Sequence, residues 1–61
     1  RRSIRINKEI KKGHILKRSD LDVLRPSPKN AIDPRYIKKI IGKKIKKDLS
    51  KHEILKWEDL D

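Results

Sequence analysis

His14 and His52 are the two histidines of this 61-residue chain and would tempt a metal argument, and there is no cysteine. A zinc site takes three or four ligands. No third ligand stands at a suitable spacing from the two histidines, so a metal site is not expected. A nucleophile with its base, a glycine-rich phosphate loop and a paired set of carboxylates are equally missing. The two glycines stand alone at 13 and 42, and the nine acids fall mainly in turn or helix-cap positions. Arg25 is followed directly by Pro26. A guanidinium presents its donors in a fixed fork that suits a carbonyl oxygen. Proline stiffens the backbone behind it and so fixes where the arginine points. Read from residue chemistry alone, Arg25 is more often a surface arginine before a loop.

The elements that position this pair follow from local patterns. Residues 3–7, SIRIN, alternate apolar and polar and predict a short strand with Ile4 and Ile6 on one face. Residues 9–13 suit a turn that ends at Gly13. Ser19 looks like the N-cap of a single helical turn. Val23, Leu24 and Arg25 form an extended piece that stops at Pro26. Residues 26–30, PSPKN, are a loop by composition. One short helix follows over about 34–41, with Asp33 as its cap, Pro34 at its first position and Gly42 at its end. Tyr36 is expected to pack, and Trp57 to be a core or domain-contact residue.

Residues 8–22, KEIKKGHILKRSDLD, recur 39 positions later as residues 47–61, KDLSKHEILKWEDLD. Eight of the fifteen aligned pairs are identical, among them Lys8/Lys47, Leu16/Leu55, Asp20/Asp59 and Leu21/Leu60. Neither copy of so short a unit can bury its apolar face alone, so the two must pack together about an internal pseudo-two-fold. The expected core is Ile4, Ile6, Ile10, Ile15, Leu16, Leu21, Val23, Ile37, Ile40, Ile41, Ile45, Leu49, Ile54, Leu55 and Leu60. The two histidines fall out of step in the repeat: His14 aligns with Glu53, and His52 with Gly13.

The net charge is +10. The lysines run along the whole chain, and one tryptophan and one tyrosine are poor material for base stacking. The charge is therefore read as background, and neither a nucleic-acid nor a membrane partner is expected. No apolar run is long enough for a membrane span or signal peptide. The chain has no methionine, even at position 1, and is expected to be a fragment of a longer one.

Taken in order, Arg2-Ser3, Gly13, Arg25-Pro26, the capped helix, Gly42-Lys43-Lys44 and Trp57-Glu58-Asp59-Leu60 resemble the C-terminal antifreeze-like (SAF) domain of sialic acid synthases. The resemblance covers the whole chain. It implies a single domain over residues 1–61 with a mostly β architecture, short helical turns and an internal dyad. This is the β-clip or pretzel fold, shared with type III antifreeze proteins. It also implies a cytoplasmic parent enzyme whose TIM barrel condenses phosphoenolpyruvate with an N-acyl amino sugar of the N-acetylmannosamine type. In that family the small domain is swapped across a homodimer and covers the partner subunit's barrel active site. The divalent metal, usually manganese, sits in the barrel; no cofactor and no catalytic residue are expected in this domain. Arg25 stands at the place of the arginine that contacts the N-acyl group. Lys29 and Asn30 follow as secondary contacts. The usual glycine-rich loop after the Arg-Pro pair is here Ser27-Pro28-Lys29-Asn30.

Other functions stay open at this stage. A purely structural dimerisation clip would use the same fold without touching substrate. Ice binding fits poorly, because Lys8, Glu9, His14, Lys17 and Asp20 put strongly hydrated charges where a flat, weakly charged plane is needed. A polyanion binder would use the basic surface through its phosphate-neutralising lysines.

Overall fold

The computed structural model describes all 61 residues. Strand β1 (Ser3–Ile6) pairs antiparallel with β2 (Leu21–Leu24), in the register Ser3 with Leu24, Ile4 with Val23, Arg5 with Asp22 and Ile6 with Leu21. Three 3-10 turns lie at Arg18–Asp20, Pro34–Tyr36 and Trp57–Asp59, and the second runs on into one α turn, α1 (Ile37–Ile40). The rest is held by isolated β-bridges. This is the mostly β architecture with short helical turns expected from the sequence. No helix is long and apolar enough to cross a membrane.

The repeat is visible in the backbone hydrogen bonds. The Ile10 amide donates to the Leu49 carbonyl at 2.9 Å, and Leu49 returns the bond to Ile10 at 2.8 Å. These two are equivalent residues, so the pseudo-dyad passes between them. Other bonds come in pairs related by the 39-residue shift. Gly13 donates to Ile45 at 2.8 Å, and His52 donates to Ile6 at 2.7 Å. Leu16 donates to Lys43 at 2.9 Å, and Leu55 to Ile4 at 3.0 Å. The bridge between Ile45 and Leu60 repeats the Ile6–Leu21 pair of the β1–β2 ladder. Each half therefore completes the other's sheet, which is why neither repeat is stable by itself.

Extended geometry explains where the core list needs correction. Successive side chains of an extended segment point to opposite faces. Of Ile15 and Leu16, only Leu16 goes inward, and Ile15 is 46 % exposed. Leu55 is likewise buried while Ile54 lies only half-buried. Ile41, the C-cap of α1, is 37 % exposed, and Val23 and Ile37 are half-buried. Trp57 is not a core residue. Ile32, which the pattern did not mark, is fully buried. It precedes the Asp33 cap, the position from which a residue commonly folds back onto a helix's first turn.

The cap at Asp33 is as expected, with its Oδ1 accepting the Arg35 amide at 2.9 Å. Ser19, by contrast, caps nothing and is exposed. The turn begins two positions earlier than expected, at Arg18, and Lys17 is its N-cap residue. Asp20 reaches back from the third position and accepts the Lys17 amide on Oδ2 at 2.9 Å. Asp59 does the same to Lys56 at 3.0 Å. Both aspartates are buried, and each holds the lysine twelve positions before it: Lys8 to Asp20 at 3.2 Å, Lys47 to Asp59 at 3.1 Å. The bond to Asp59 holds the Lys47 ammonium above its usual range.

Asp20 has a further partner, His14 Nε2 at 2.8 Å, where the second repeat has Glu53. Burial works against the Asp20 charge, but hydrogen bonds from His14, the Lys17 amide and Lys8 outweigh it, and its carboxyl sits below the ordinary 3.8. A carboxyl depressed by folding binds fewer protons in the folded chain than in the unfolded one. Its stabilisation is thus complete above the ordinary value and disappears as pH falls through the lower folded value. Asp20→Asn should flatten the acid limb of stability below about pH 4. Denaturant melts across that window test this, and parallel acid limbs for variant and wild type would refute it.

Gly13 and its repeat-mate His52 both take left-handed backbone, at φ 94° and 73°. A Cβ at Gly13 would meet nothing within 4 Å, so its cost is conformational only. Gly13→Ala should destabilise by about 1–2 kcal/mol. His52→Gly should stabilise by up to about 1 kcal/mol, since it removes the same strain. Denaturant midpoints read both, and an unchanged midpoint for Gly13→Ala would contradict the account.

Candidate binding site at the Arg25–Pro26 corner

Ser3 and Leu24 are the last pair of the β1–β2 ladder, and the chain leaves the sheet immediately after them. Arg25 is the first residue outside, and its peptide bond to Pro26 is cis. The corner is tied down from β1. Buried Ser3 donates its hydroxyl to the Pro26 carbonyl at 2.8 Å, and Arg5 Nη2 donates to the same oxygen at 3.1 Å. Two donors on one carbonyl fix the backbone beside Arg25 while its own side chain remains exposed. No carboxylate of this chain pairs with the Arg25 guanidinium.

Beyond the corner, residues 27–30 turn back toward the second repeat. The Ala31 amide donates to Pro28 at 3.2 Å, Ala31 bridges Lys56, and the Ile32 amide donates to Leu55 at 3.2 Å. The turn leaves a cleft of about 270 Å³ lined by Arg1, Ser27, Pro28, Lys29, Ala31 and Asp33. Arg1 Nη2 lies 3.4 Å from Asp33 Oδ2. A single exposed pair of this kind is weak, worth about 0–1 kcal/mol, so a ligand group could displace it. The backbone bond from Arg35, with the Arg1 charge adding to it, holds the Asp33 carboxyl below its usual range.

Of the three residues expected from the sequence, Lys29 lines the cleft. Arg25 stands at the corner outside it, and Asn30 lies in the exposed turn away from the lining. Ser3 and Arg5 were missed as corner holders, although Ser3 belongs to the Arg2-Ser3 marker. Their role depends on strand register, which residue types alone do not reveal. His14 and His52 do not meet, His14 being occupied by Asp20. No group of three or more His, Asp or Glu side chains converges anywhere in the fold. The site offers the exposed guanidinium of Arg25 on a fixed backbone and, in the cleft, the cations of Arg1 and Lys29 with the Ser27 hydroxyl beside the Asp33 carboxylate. Donors of this kind suit an oxygen-rich or anionic group.

The family model described as "SAF domain" matches residues 1–61, the whole chain. The chain is also similar to the uncharacterized protein MJ1065 of Methanocaldococcus jannaschii, at 37% identity over 60 residues. That alignment takes in 98% of this chain and 17% of the relative, so the chain spans about one sixth of the length of the curated relative it matches.

Proposed function

This chain belongs to the SAF domain family, small non-catalytic domains, and we propose that it is the substrate-binding accessory domain of a sialic acid synthase. In this reading it caps the TIM-barrel active site of the partner subunit in a homodimeric, cytoplasmic enzyme. Its Arg25 donates to the N-acyl oxygen of an amino sugar of the N-acetylmannosamine type, which the barrel condenses with phosphoenolpyruvate. Lys29 and the turn at Asn30 border the same ligand. The divalent metal of such an enzyme, manganese in the usual case, belongs to the barrel.

The observation that carries the reading is the state of Arg25. Its backbone is anchored through the Pro26 carbonyl by Ser3 and Arg5, while its guanidinium is exposed and unpaired. A preset donor fork aimed at a non-reacting part of a substrate can position the reacting carbon. The sequence resemblance that places an arginine at this corner supports the same assignment. The test is steady-state kinetics of the full-length protein carrying Arg25→Ala, with amino sugar and phosphoenolpyruvate varied separately. Unchanged constants for the sugar would remove Arg25 from the site and leave the domain a structural clip.

A further inference from the structure

Trp57 stands 47 % exposed on the last 3-10 turn. Its repeat-mate is Arg18, so the fold does not demand an indole at this place. Its ring meets Tyr36 edge-on, with centroids 5.6 Å apart and planes at 64°. Tyr36 is itself packed against the core, which makes the pair a fixed platform and not a mobile side chain on the surface. The Arg35 guanidinium lies 5.3 Å from the Tyr36 ring centre, and the Lys39 ammonium lies 5.6 Å from it. Asp33 stands 3.6 Å from Arg35, but no carboxylate pairs with Lys39. Glu58, the neighbouring acid on the turn, acts on Lys47. Between positions 38 and 47 there are six lysines and no acid, and of these only Lys47 forms an ion pair.

An anchored Trp–Tyr pair beside an arginine and an unneutralised lysine has the composition of an interface centre. Aromatic and arginine side chains carry most of the energy in such contacts. We infer that this cluster docks an acidic protein surface with an apolar centre, carried by the catalytic domain of the longer protein. The inference rests on the proposed accessory role for the identity of that domain. Charge complementarity argues for an acidic occupant, since the chain is +10 and the patch lies beside its densest run of lysines. The domain also corresponds to only 17% of the length of its relative, so most of such a chain lies outside it. The location is productive as well. The Ala31–Lys56 bridge ties the loop behind Arg25 to the turn that carries Trp57, so docking at Trp57 would hold the Arg25 corner in place.

The test uses the full-length protein and zero-length carbodiimide coupling, with peptide mass spectrometry to locate the joined residues. Lys39 should couple to carboxylates outside the 61-residue domain. Trp57→Ala and Arg35→Glu, both at exposed positions, should each lower that yield about tenfold or more, as loss of an interface anchor does. Coupling within one subunit or across two subunits both support the docking face. Coupling of Lys39 only inside the domain, or a yield indifferent to both variants, overturns it. So does protection of Lys39 that nuclease treatment abolishes, which would mark a nucleic-acid partner instead. Arg25→Ala keeps the two proposals apart. If it leaves sugar kinetics unchanged while the Lys39 cross-link persists, the substrate contact fails and the docking face stands.

Discussion

Leu55→Ala should leave the domain close to its unfolding midpoint at room temperature. The core is one cluster of eleven buried apolar residues, and Leu55 is fully enclosed in it. Truncating a buried leucine costs about 3–5 kcal/mol, the lost transfer energy plus the cavity left behind. A chain of this length holds only about 3–9 kcal/mol in total. There is no disulfide to limit the unfolded state. The pseudo-dyad sharpens the prediction. Leu16 is the repeat-mate of Leu55, is equally buried, and makes the matching backbone bond across the axis. Leu16→Ala should therefore cost nearly the same. Ile15→Ala, one residue away but pointing outward, should cost under about 1 kcal/mol. Denaturant unfolding of the three variants checks all of this. Equal losses for Ile15 and Leu16 would mean that the two do not face opposite sides, and the assignment of the core would be wrong.

Arg25→Ala should reduce kcat/KM for the amino sugar about 10- to 150-fold, the range set by losing one hydrogen bond of about 1.5–3 kcal/mol from a charged donor. The KM for phosphoenolpyruvate and the assembly state should not move. Stability should change by less than about 0.5 kcal/mol, because the side chain is exposed and pairs with nothing in its own domain. Arg25→Lys should recover only part of the loss: the charge is kept, but the planar fork is replaced by a point donor on a flexible stem. Ser3→Ala offers a control on positioning. It removes the hydroxyl that holds the Pro26 carbonyl while leaving the guanidinium intact. A fall in sugar kcat/KM for Ser3→Ala, with partial retention relative to Arg25→Ala, would show that the corner geometry matters as well as the charge. Full retention of sugar kinetics in Arg25→Ala is the outcome that would end the proposal.

Much of the fold was legible in the chain. The repeat of residues 8–22 at 47–61 predicted two packed units, and the backbone bonds repeat with the same 39-residue shift. Asp33, Pro34 and Gly42 bounded the helix, because caps and breakers act through local backbone chemistry that residue identity already contains. The errors are equally physical. Ile15 and Ile41 look like core by composition, yet side-chain direction in a one-residue bridge or at a cap depends on pairing register, which a four-residue pattern does not specify. Ile32 was missed because it belongs to no periodic run; the fold brings its backbone onto Leu55, 23 positions away, and both side chains join the one core cluster. Asp20 and Asp59 read as ordinary turn acids. Only the fold buries them and brings Lys8 and Lys47 onto their carboxylates.

The candidate site divides along the same line. By itself the sequence determined that the domain is small and basic, and built from two repeats. Arg25-Pro26 stood out only through the family resemblance; donor geometry and proline stiffness are properties of residue types that suit such a role without singling the pair out. Tertiary structure alone decided what holds that pair: Ser3 and Arg5 reach the Pro26 carbonyl only because β1 lies in one register against β2. It also decided that Lys29 lines the cleft and Asn30 does not, and that Trp57 meets Tyr36 at the surface instead of entering the core. The physical reason is range. Propensity, capping and charge act over a few residues and can be read in order along the chain. Burial, pairing and cleft shape depend on which distant segments share a face, and here that is settled by packing about the dyad.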